Sequence, residues 1–237
     1  MKLSDFTTLT FDCYGTLIDW EAGMGTALGA WAEASRLDAA PAALFEAFNR
    51  NEHRVQDENP AMLYPQILAE VLRGMADDFG VAVSDADARA FGASVGEWPA
   101  FPDSPGALAY LKEHYKLVIL SNIDRASFSR SNEKLGVAFD AVFTAEDIGS
   151  YKPDLGNFHY MLDKLGAMGV AKADILHTAQ SLYHDHGPAK ELGLVSCWID
   201  RHGTAGESST TPAPEATPDF RFHTMEALAA AHRAEVA

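Results

Sequence analysis

Short runs of apolar and β-branched residues recur along the chain and predict strands that are buried on both faces. Such unbroken apolar runs are typical of a parallel sheet. The predicted strands are Thr7 to Phe11, Leu117 to Leu120, Ala141 to Thr144, Ile175 to Ala179 and Val195 to Ile199, with a last strand around Phe220 to His223. Helical stretches alternate with them at Arg125 to Leu135, Gly156 to Leu165 and Pro188 to Leu192. This alternation predicts an α/β fold, a Rossmann-like parallel sheet with helices on both sides.

Residues from about Glu21 to Trp98 follow a different pattern, with apolar side chains at helical spacing and little strand character. Because this stretch lies between the first two predicted strands, it predicts a helical cap over 19–98 that is inserted into an α/β core of 1–18 and 99–237. We expect a ligand site in the crevice between core and cap. Further along, Gly203 to Pro218 is rich in Ser, Thr, Pro and Gly, which predicts a surface loop.

Composition and charge narrow the class of protein. A chain of 237 residues with 47% hydrophobic content can bury a large core and a smaller attached domain. Its two cysteines, Cys13 and Cys197, lie far apart in apolar runs, which is typical of reduced, buried thiols. Neither a signal peptide nor an apolar run of about 18 residues is present, so we expect a cytoplasmic protein without a membrane partner. The net charge of -16 argues against nucleic acid as a partner but leaves small anionic substrates open.

Polar side chains follow four of the predicted strands along the chain. In chain order they are Asp12, then Ser121 and Asn122, then Lys152, and then Ser181 with His184, Asp185 and His186. The carboxyl ends of parallel strands meet at one edge of a sheet, so these groups are expected at a single site. Taken one at a time, each has an ordinary explanation as a turn, a cap or a polar loop. The prediction therefore depends on their combination.

The segments FDCYGTLID, LSNID, YKPD and HDHGPAKELG resemble, in order and spacing, the four motifs of the haloacid dehalogenase-like superfamily. The resemblance covers nearly the whole chain and is closest to the L-2-haloacid dehalogenases. It implies that Asp12 attacks the Cα of a small (S)-2-haloacid, displaces the halide and forms an aspartyl ester. Water then hydrolyses the ester to a 2-hydroxy acid. Lys152 would orient Asp12 and keep it ionised, and Asp185 would position or activate the water.

The resemblance also implies roles for residues around the nucleophile. Thr16 and Ser121 would hold the nucleophile and the substrate carboxylate, with the backbone amides near Cys13 and Tyr14 as further donors. Asn122 would help to receive the halide together with an arginine of the cap. We assign that arginine to Arg50, with Arg54 as the competing choice. Ser181 is a further substrate-binding candidate, and a homodimer formed through the cap is possible for such a protein.

Tyr14 bears on the choice between two activities of this superfamily. Its phosphatases carry a second Asp at this position, because an alkoxide leaving group needs a general acid. A departing halide is already a stable anion and needs no proton, so Tyr14 favours cleavage of a carbon–halogen bond. The dehalogenases work without a metal, and we expect no cofactor. Mg²⁺ belongs to the alternative function, a phosphatase of a small phosphorylated metabolite.

Two departures from the family pattern concern ester hydrolysis. Leu182 stands where the family has an amide that steadies the water, and Phe158 stands where it has a tyrosine. His184 is a candidate to take over water handling, since an unperturbed histidine titrates near neutral pH. Two other interpretations stay open. One is a phospho-acceptor signalling module, against which the long helical insertion argues, and the other is a family member that binds without turnover.

Overall fold

A computed structural model describes residues 1–202 and 217–237. The described residues form a six-stranded sheet in the order β3-β2-β1-β4-β5-β6, and every neighbouring pair is parallel. The strands are β1 (Thr8–Phe11), β2 (Lys116–Ser121), β3 (Ala141–Thr144), β4 (Ile175–Ala179), β5 (Val195–Ile199) and β6 (Phe220–Phe222). The predicted α/β fold and its parallel sheet are confirmed. Of the predicted surface loop, 203–216 lie outside the described residues.

The α-helices of the described residues follow the predicted alternation. They are α1 (Trp20–Ala34), α2 (Pro41–Glu58), α3 (Tyr64–Phe79), α4 (Asp85–Ala93), α5 (Ser104–Lys112), α6 (Arg125–Leu135), α7 (Ala145–Ile148), α8 (Leu155–Ala167), α9 (Gly187–Glu191) and α10 (Met225–Val236). None of the helices in this part of the chain combines the length and the apolar character that crossing a membrane requires.

Helices α1 to α4 make up the stretch between β1 and β2 for which the sequence predicts an insertion. Local signals fix their ends. The Asp19 side chain accepts a hydrogen bond from Ala22 N at 3.0 Å and so caps α1. Pro41 opens α2, and Gly80, with φ of 68°, ends α3 in the left-handed conformation that glycine adopts readily. The stretch is therefore helical as expected, and its status as a separate cap remains a prediction.

The two segments that join the insertion to the sheet run side by side. Asp19 N donates to Pro99 O at 2.8 Å, and Phe101 N donates to Leu17 O at 3.0 Å. Between them Ile18 pairs with Ala100 in an antiparallel bridge. We call these paired segments, 17–19 and 99–101, the connecting ribbon. The chain thus leaves the sheet and returns to it at one place.

Both faces of the sheet are buried, because successive side chains of β2 pack into different hydrophobic clusters. Leu117 and Ile119 belong to a hydrophobic cluster that continues into the insertion through residues such as Phe48. Val118 and Leu120 point the other way and join a second cluster, to which α8 contributes. Successive side chains of a strand point to opposite faces, so β2 is covered on each side.

Candidate active site

Asp12 follows β1 directly, at the middle of the sheet, where β1 lies between β2 and β4. Crevices at such points are the usual ligand sites of parallel sheets. The Asp12 side chain is almost fully buried, and its Oδ2 accepts a hydrogen bond from Thr16 Oγ1 at 2.9 Å. Thr16 Oγ1 in turn accepts from Gln180 N at 2.9 Å. Gly15, with φ of 95°, lets the backbone turn sharply between the two. Asp12 is therefore held on a fixed turn.

Lys152 joins the two carboxylates that the sequence places at this edge of the sheet. Its Nζ donates to Asp12 Oδ1 at 3.0 Å, to Asp185 Oδ1 at 2.6 Å and to the carbonyl oxygen of Leu120 at 3.0 Å. Only 2% of the lysine is exposed. An ammonium group has three N–H donors, and all three are used here. The structure thus brings Asp12, Lys152 and Asp185 together, as the motifs imply.

The buried charges shift one another's pKa values. Burial raises the pKa of Asp12, and the nearby Asp185 adds to the effect, while Lys152 offsets only part of it. Burial would also raise the pKa of Asp185, but Lys152 and His177 outweigh it and bring that pKa below its ordinary value. For Lys152 burial lowers the pKa, yet the two carboxylates raise it overall. The site therefore keeps Lys152 protonated and Asp185 ionised at neutral pH.

His177 is a member of this site that the sequence did not identify. It lies on β4 and is fully buried, and its Nε2 lies 3.0 Å from Asp185 Oδ1. Asp185 Oδ2 is buried and has no hydrogen-bond partner among the described residues. A histidine inside an apolar strand usually belongs to the core. Its presence in the run ILHTA was the only signal, and it gives no hint of the partner.

Ser121 and Asn122, at the end of β2, have different surroundings. Ser121 Oγ is buried and has no hydrogen-bond partner among the described residues, so it can bind a ligand oxygen. Asn122 clamps the backbone of Lys152, since its Oδ1 accepts from Lys152 N at 2.6 Å and its Nδ2 donates to Lys152 O at 3.0 Å. The implied contact of Asn122 with a halide stays a prediction.

Tyr14 and Cys13 follow the nucleophile but turn their side chains into protein. The Tyr14 hydroxyl lies 2.9 Å from Ser131 Oγ, and its ring packs edge-on against Trp98. Burial, followed by the proximity of Cys13, raises the pKa of Tyr14 well above its ordinary value. The Cys13 thiol is fully buried, and burial raises its pKa as well. Neither side chain is a ready proton donor, so their implied contribution to binding would come from backbone amides.

The fourth motif forms a π-helical turn, Leu182–His186. Ser181 caps it, because its Oγ accepts from His184 N at 3.0 Å and lies 3.1 Å from His184 Nδ1. These bonds fix the Ser181 hydroxyl against its own turn, and its implied contact with substrate stays a prediction. Burial lowers the pKa of His184 to about 4, which makes the ring neutral at pH 7. Short π-helical segments are frequent at functional sites.

Arg50 is not brought into this cluster. Its side chain is 58% exposed and donates to Asp78 Oδ2 at 2.8 Å, which links α2 to α3. Arg54 donates to Glu58 Oε2 and Asn51 Oδ1, both on its own helix. The expectation that Arg50 faces the halide is therefore not supported by its contacts. The motif fixes the distance along the chain only loosely, and a shift of one residue turns a helical side chain by about 100°.

The alternative function would place Mg²⁺ at Asp12 and Asp185. Each of these carboxylates already has its Oδ1 on Lys152, and Asp12 Oδ2 is bonded to Thr16. Among the described residues, Asp185 Oδ2 is the one oxygen of the pair left without a partner, and Mg²⁺ is usually held by one or two carboxylates together with several waters. No group of three or more His, Cys, Asp or Glu side chains in the described part of the chain could hold a metal ion. Lys152 thus supplies the cation between the two carboxylates, and the expectation of no metal cofactor stays a prediction.

Comparisons with known proteins agree with this geometry. The family model of haloacid dehalogenase-like hydrolases matches residues 6–178. Haloacetate dehalogenase H-2 of Moraxella sp. (strain B) is 30% identical over 133 residues, which span 54% of this chain and 54% of that protein. (S)-2-haloacid dehalogenase H-109 of Pseudomonas putida is 28% identical over 156 residues, 64% of this chain and 68% of that one. The chain therefore matches about half to two thirds of the length of these relatives.

A solved structure resembles the fold over almost its whole length. The crystal structure of a defluorinating L-2-haloacid dehalogenase superposes with a TM-score of 0.81 and covers 98% of both chains. The two sequences are 20% identical, so this likeness establishes the fold.

Proposed function

The chain belongs to the haloacid dehalogenase-like hydrolases, and on that premise we propose that it hydrolyses the carbon–halogen bond of small (S)-2-haloacids. The products are a 2-hydroxy acid and halide, and the intermediate is an ester on Asp12. The names of the relatives from Moraxella and Pseudomonas putida support this substrate class, since both are dehalogenases of small haloacids.

Two features together support the proposal. The nucleophile, Asp12, is held in place, and the position that carries the general acid in phosphatases has none. Asp12 is positioned by Lys152 and Thr16, so its carboxylate needs little reorganisation before attack. Two residues later the position of a phosphatase acid is taken by Tyr14, whose hydroxyl is bonded to Ser131 and whose pKa is raised. A site without an acid at this position suits a leaving group that departs as a stable anion.

The first half-reaction is displacement at carbon. An Asp12 carboxylate oxygen attacks the Cα of the substrate, the new C–O bond forms as the carbon–halogen bond breaks, and the halide leaves with the bonding electron pair. Lys152 keeps the attacking carboxylate ionised. Ser121 Oγ and the backbone amides near Cys13 and Tyr14 bind the substrate carboxylate, and Asn122 helps to receive the halide.

The second half-reaction hydrolyses the aspartyl ester. Asp185 orients the attacking water through its unpartnered Oδ2. His184, neutral at pH 7 and linked to Ser181, is the proposed second contact for that water. Helices α1 to α4 act as a cap, residues 19–98, that encloses the substrate above the core.

We further propose a reducing compartment such as the cytoplasm, supported by two buried free thiols, Cys13 and Cys197. The proposed assembly is a homodimer formed through the cap. Light scattering during size-exclusion chromatography measures the assembly directly, and a monomeric mass at micromolar concentration contradicts it.

The test of the activity is a halide-release screen across 2-chloro-, 2-bromo- and fluoro-acids of both chiralities, with EDTA present. The expected result is halide release from the (S)-enantiomers together with a covalent adduct on Asp12. A parallel arm offers p-nitrophenyl phosphate with Mg²⁺. Phosphate release there, without halide release in the first arm, would overturn the proposal in favour of the phosphatase.

The pH dependence of the first half-reaction follows from the pKa of Asp12. Attack needs the ionised carboxylate, and burial raises this pKa, so the rate of adduct formation should fall on the acid side at a pH above the ordinary aspartate pKa of about 3.9. The Thr16 hydrogen bond lowers the same pKa. A Thr16→Val variant should therefore move the acid limb to higher pH, as quenched-flow mass spectrometry can record.

The matched control for Thr16 is Thr178→Val, because Thr178 is also buried but its Oγ1 has no hydrogen-bond partner among the described residues. Its acid limb should coincide with that of the wild type. Equal shifts in both variants would mean that the change reflects packing and not the hydrogen bond to Asp12.

Arg50→Ala tests the role of the surface arginine. The pair with Asp78 is exposed, so its loss should cost about 0–1 kcal/mol in the free energy of unfolding and leave kcat/KM for halide release nearly unchanged. Arg73→Ala is the control, since Arg73 also makes surface ion pairs, with Glu70 and Asp85. If Arg50→Ala alone lost most of its kcat/KM while the fold stayed intact, the result would support Arg50 as the arginine that binds the halide.

A further inference from the structure

A hydrogen-bonded chain runs through the centre of the sheet and ends at the candidate active site. Thr10 on β1 and His177 on β4 are direct partners in the parallel register, and Thr10 Oγ1 lies 2.8 Å from His177 Nδ1. The other ring nitrogen, Nε2, lies 3.0 Å from Asp185 Oδ1. Both residues are fully buried. The ring of Phe158 packs edge-on against the imidazole with 5.2 Å between centroids, so the histidine is held at both nitrogens and on its side.

The direction of one hydrogen bond is fixed by chemistry. An ionised carboxylate can only accept hydrogen bonds, so His177 Nε2 carries the proton and donates it to Asp185. A ring that carries its proton on Nε2 alone accepts at Nδ1, and the Thr10 hydroxyl is then the donor. Such an outer hydrogen bond is what sets the tautomer of a histidine.

These hydrogen bonds influence how the Asp185 carboxylate is oriented. Its Oδ1 receives two donors, Lys152 Nζ and His177 Nε2, which together restrain the rotation of the carboxylate. Its Oδ2 is left buried and without a partner among the described residues. A buried acceptor without a donor costs free energy, and a water placed there for reaction would satisfy it.

We propose that Thr10 and His177 are positioning residues that aim Asp185 Oδ2 at the hydrolytic water. This inference rests on the proposed function and concerns its second half-reaction only. The water oxygen bonds to the carbonyl carbon of the Asp12 ester while one water proton passes to Asp185 Oδ2. The ester C–O bond then breaks, and that proton moves to the departing alkoxide, which completes the 2-hydroxy acid. The second water proton remains on the new Asp12 carboxyl and is lost to solvent as Asp12 ionises.

The experiment separates the two half-reactions in four variants. His177→Phe removes the donor, His177→Gln keeps an N–H near the position of Nε2, and Thr10→Val removes the hydroxyl with little change of shape. Thr8→Val is the control, because Thr8 is a buried threonine of the same strand whose Oγ1 has no partner among the described residues. A rapid-quench burst of halide measures adduct formation, and mass spectrometry of the Asp12 peptide measures the ester that accumulates.

In His177→Phe we expect a normal burst, an accumulated ester and hydrolysis slowed by about 10²-fold, the effect of a small misplacement of a reacting group. His177→Gln should recover most of this loss. Thr10→Val should slow hydrolysis by about 5-fold, which corresponds to one hydrogen bond, and Thr8→Val should behave as wild type. Equal losses in burst and hydrolysis, or no loss in Thr10→Val, would overturn the inference. If His177→Phe does not fold, the comparison of His177→Gln and Thr10→Val with Thr8→Val tests the inference.

A second readout needs no substrate. Long-range ¹⁵N NMR of the histidine rings identifies which nitrogen of His177 carries the proton. We expect the signal of a protonated Nε2 in the wild type. The chemical shifts of the ring nitrogens should change in Asp185→Asn and in Thr10→Val. An Nε2 without a proton in the wild type contradicts the positioning pair. If the wild type released no halide, the proposed function would be contradicted. The NMR measurement would still test the hydrogen bonds of His177, because it does not depend on activity.

Discussion

Asp12→Asn is expected to release no halide above background and to form no covalent adduct with a 2-haloacid. The amide has nearly the same shape as the carboxylate but lacks the negative charge that attacks carbon. Loss of a covalent nucleophile reduces kcat by at least about 10⁴-fold. The measurement is halide release at saturating substrate, together with the mass of the Asp12 peptide after denaturation.

Two controls sharpen this test. Asp200→Asn changes another buried aspartate that follows a strand, but its partner is Arg221 and it lies outside the cluster around Lys152. That variant should keep most of its halide release. Asp12→Ala excludes slow deamidation of the new asparagine back to aspartate. If Asp12→Ala still released halide at a rate close to that of wild type, another residue or a bound water would have to be the nucleophile.

Lys152→Met should have the largest effect on stability. It leaves the carboxylates of Asp12 and Asp185 buried next to each other without their shared cation. Breaking a buried ion pair by removing one partner costs about 3–5 kcal/mol, and we expect a loss of this size in the free energy of unfolding at pH 7. Halide release should fall as well, since two adjacent carboxylates cannot both stay ionised.

The sign of the pH effect makes this prediction specific. Without Lys152, the pKa values of both carboxyls in the folded state rise above their values in the unfolded chain. Folding then favours their protonated forms, so the variant gains stability relative to wild type as the pH falls from 7 toward 4. Urea unfolding at several pH values measures the difference. A deficit that is constant with pH would show that the loss comes from packing alone.

Lys112→Met is the matched control for this variant. Lys112 Nζ lies 2.5 Å from Asp140 Oδ2, but about a third of each side chain is exposed. Removal of this ion pair should cost about 0–1 kcal/mol. The contrast between the two lysines separates the effect of burial from the effect of charge alone.

Much of the fold was predictable because its strands are short, apolar and bounded by polar residues. Ala141–Thr144, Ile175–Ala179 and Val195–Ile199 are strands with the predicted bounds. Asp12 and Lys152 were also predictable as neighbours, since residues at the carboxyl ends of parallel strands converge whatever lies between them in the chain.

Other features depend on partners that are distant in the sequence. His177 becomes part of the site only because β4 pairs with β1 in the register that sets it opposite Thr10. Arg50 pairs with Asp78 because of how α2 packs on α3, and spacing along the chain does not reveal that packing. Asn122 matched a motif, but its bonds to the Lys152 backbone follow from the path of the loop after β3.

The connecting ribbon has a consequence for how the chain folds. Hydrogen bonds from Asp19 to Pro99 and from Phe101 to Leu17 close the intervening segment at its base. The entropy cost of closing a loop grows only with the logarithm of its length, so helices could be lengthened, shortened or exchanged above this closure at little cost to the pairing of β1 with β2. The ribbon therefore closes this segment at its base whatever its length, while the hydrophobic cluster shared with the sheet still limits which helices can pack there.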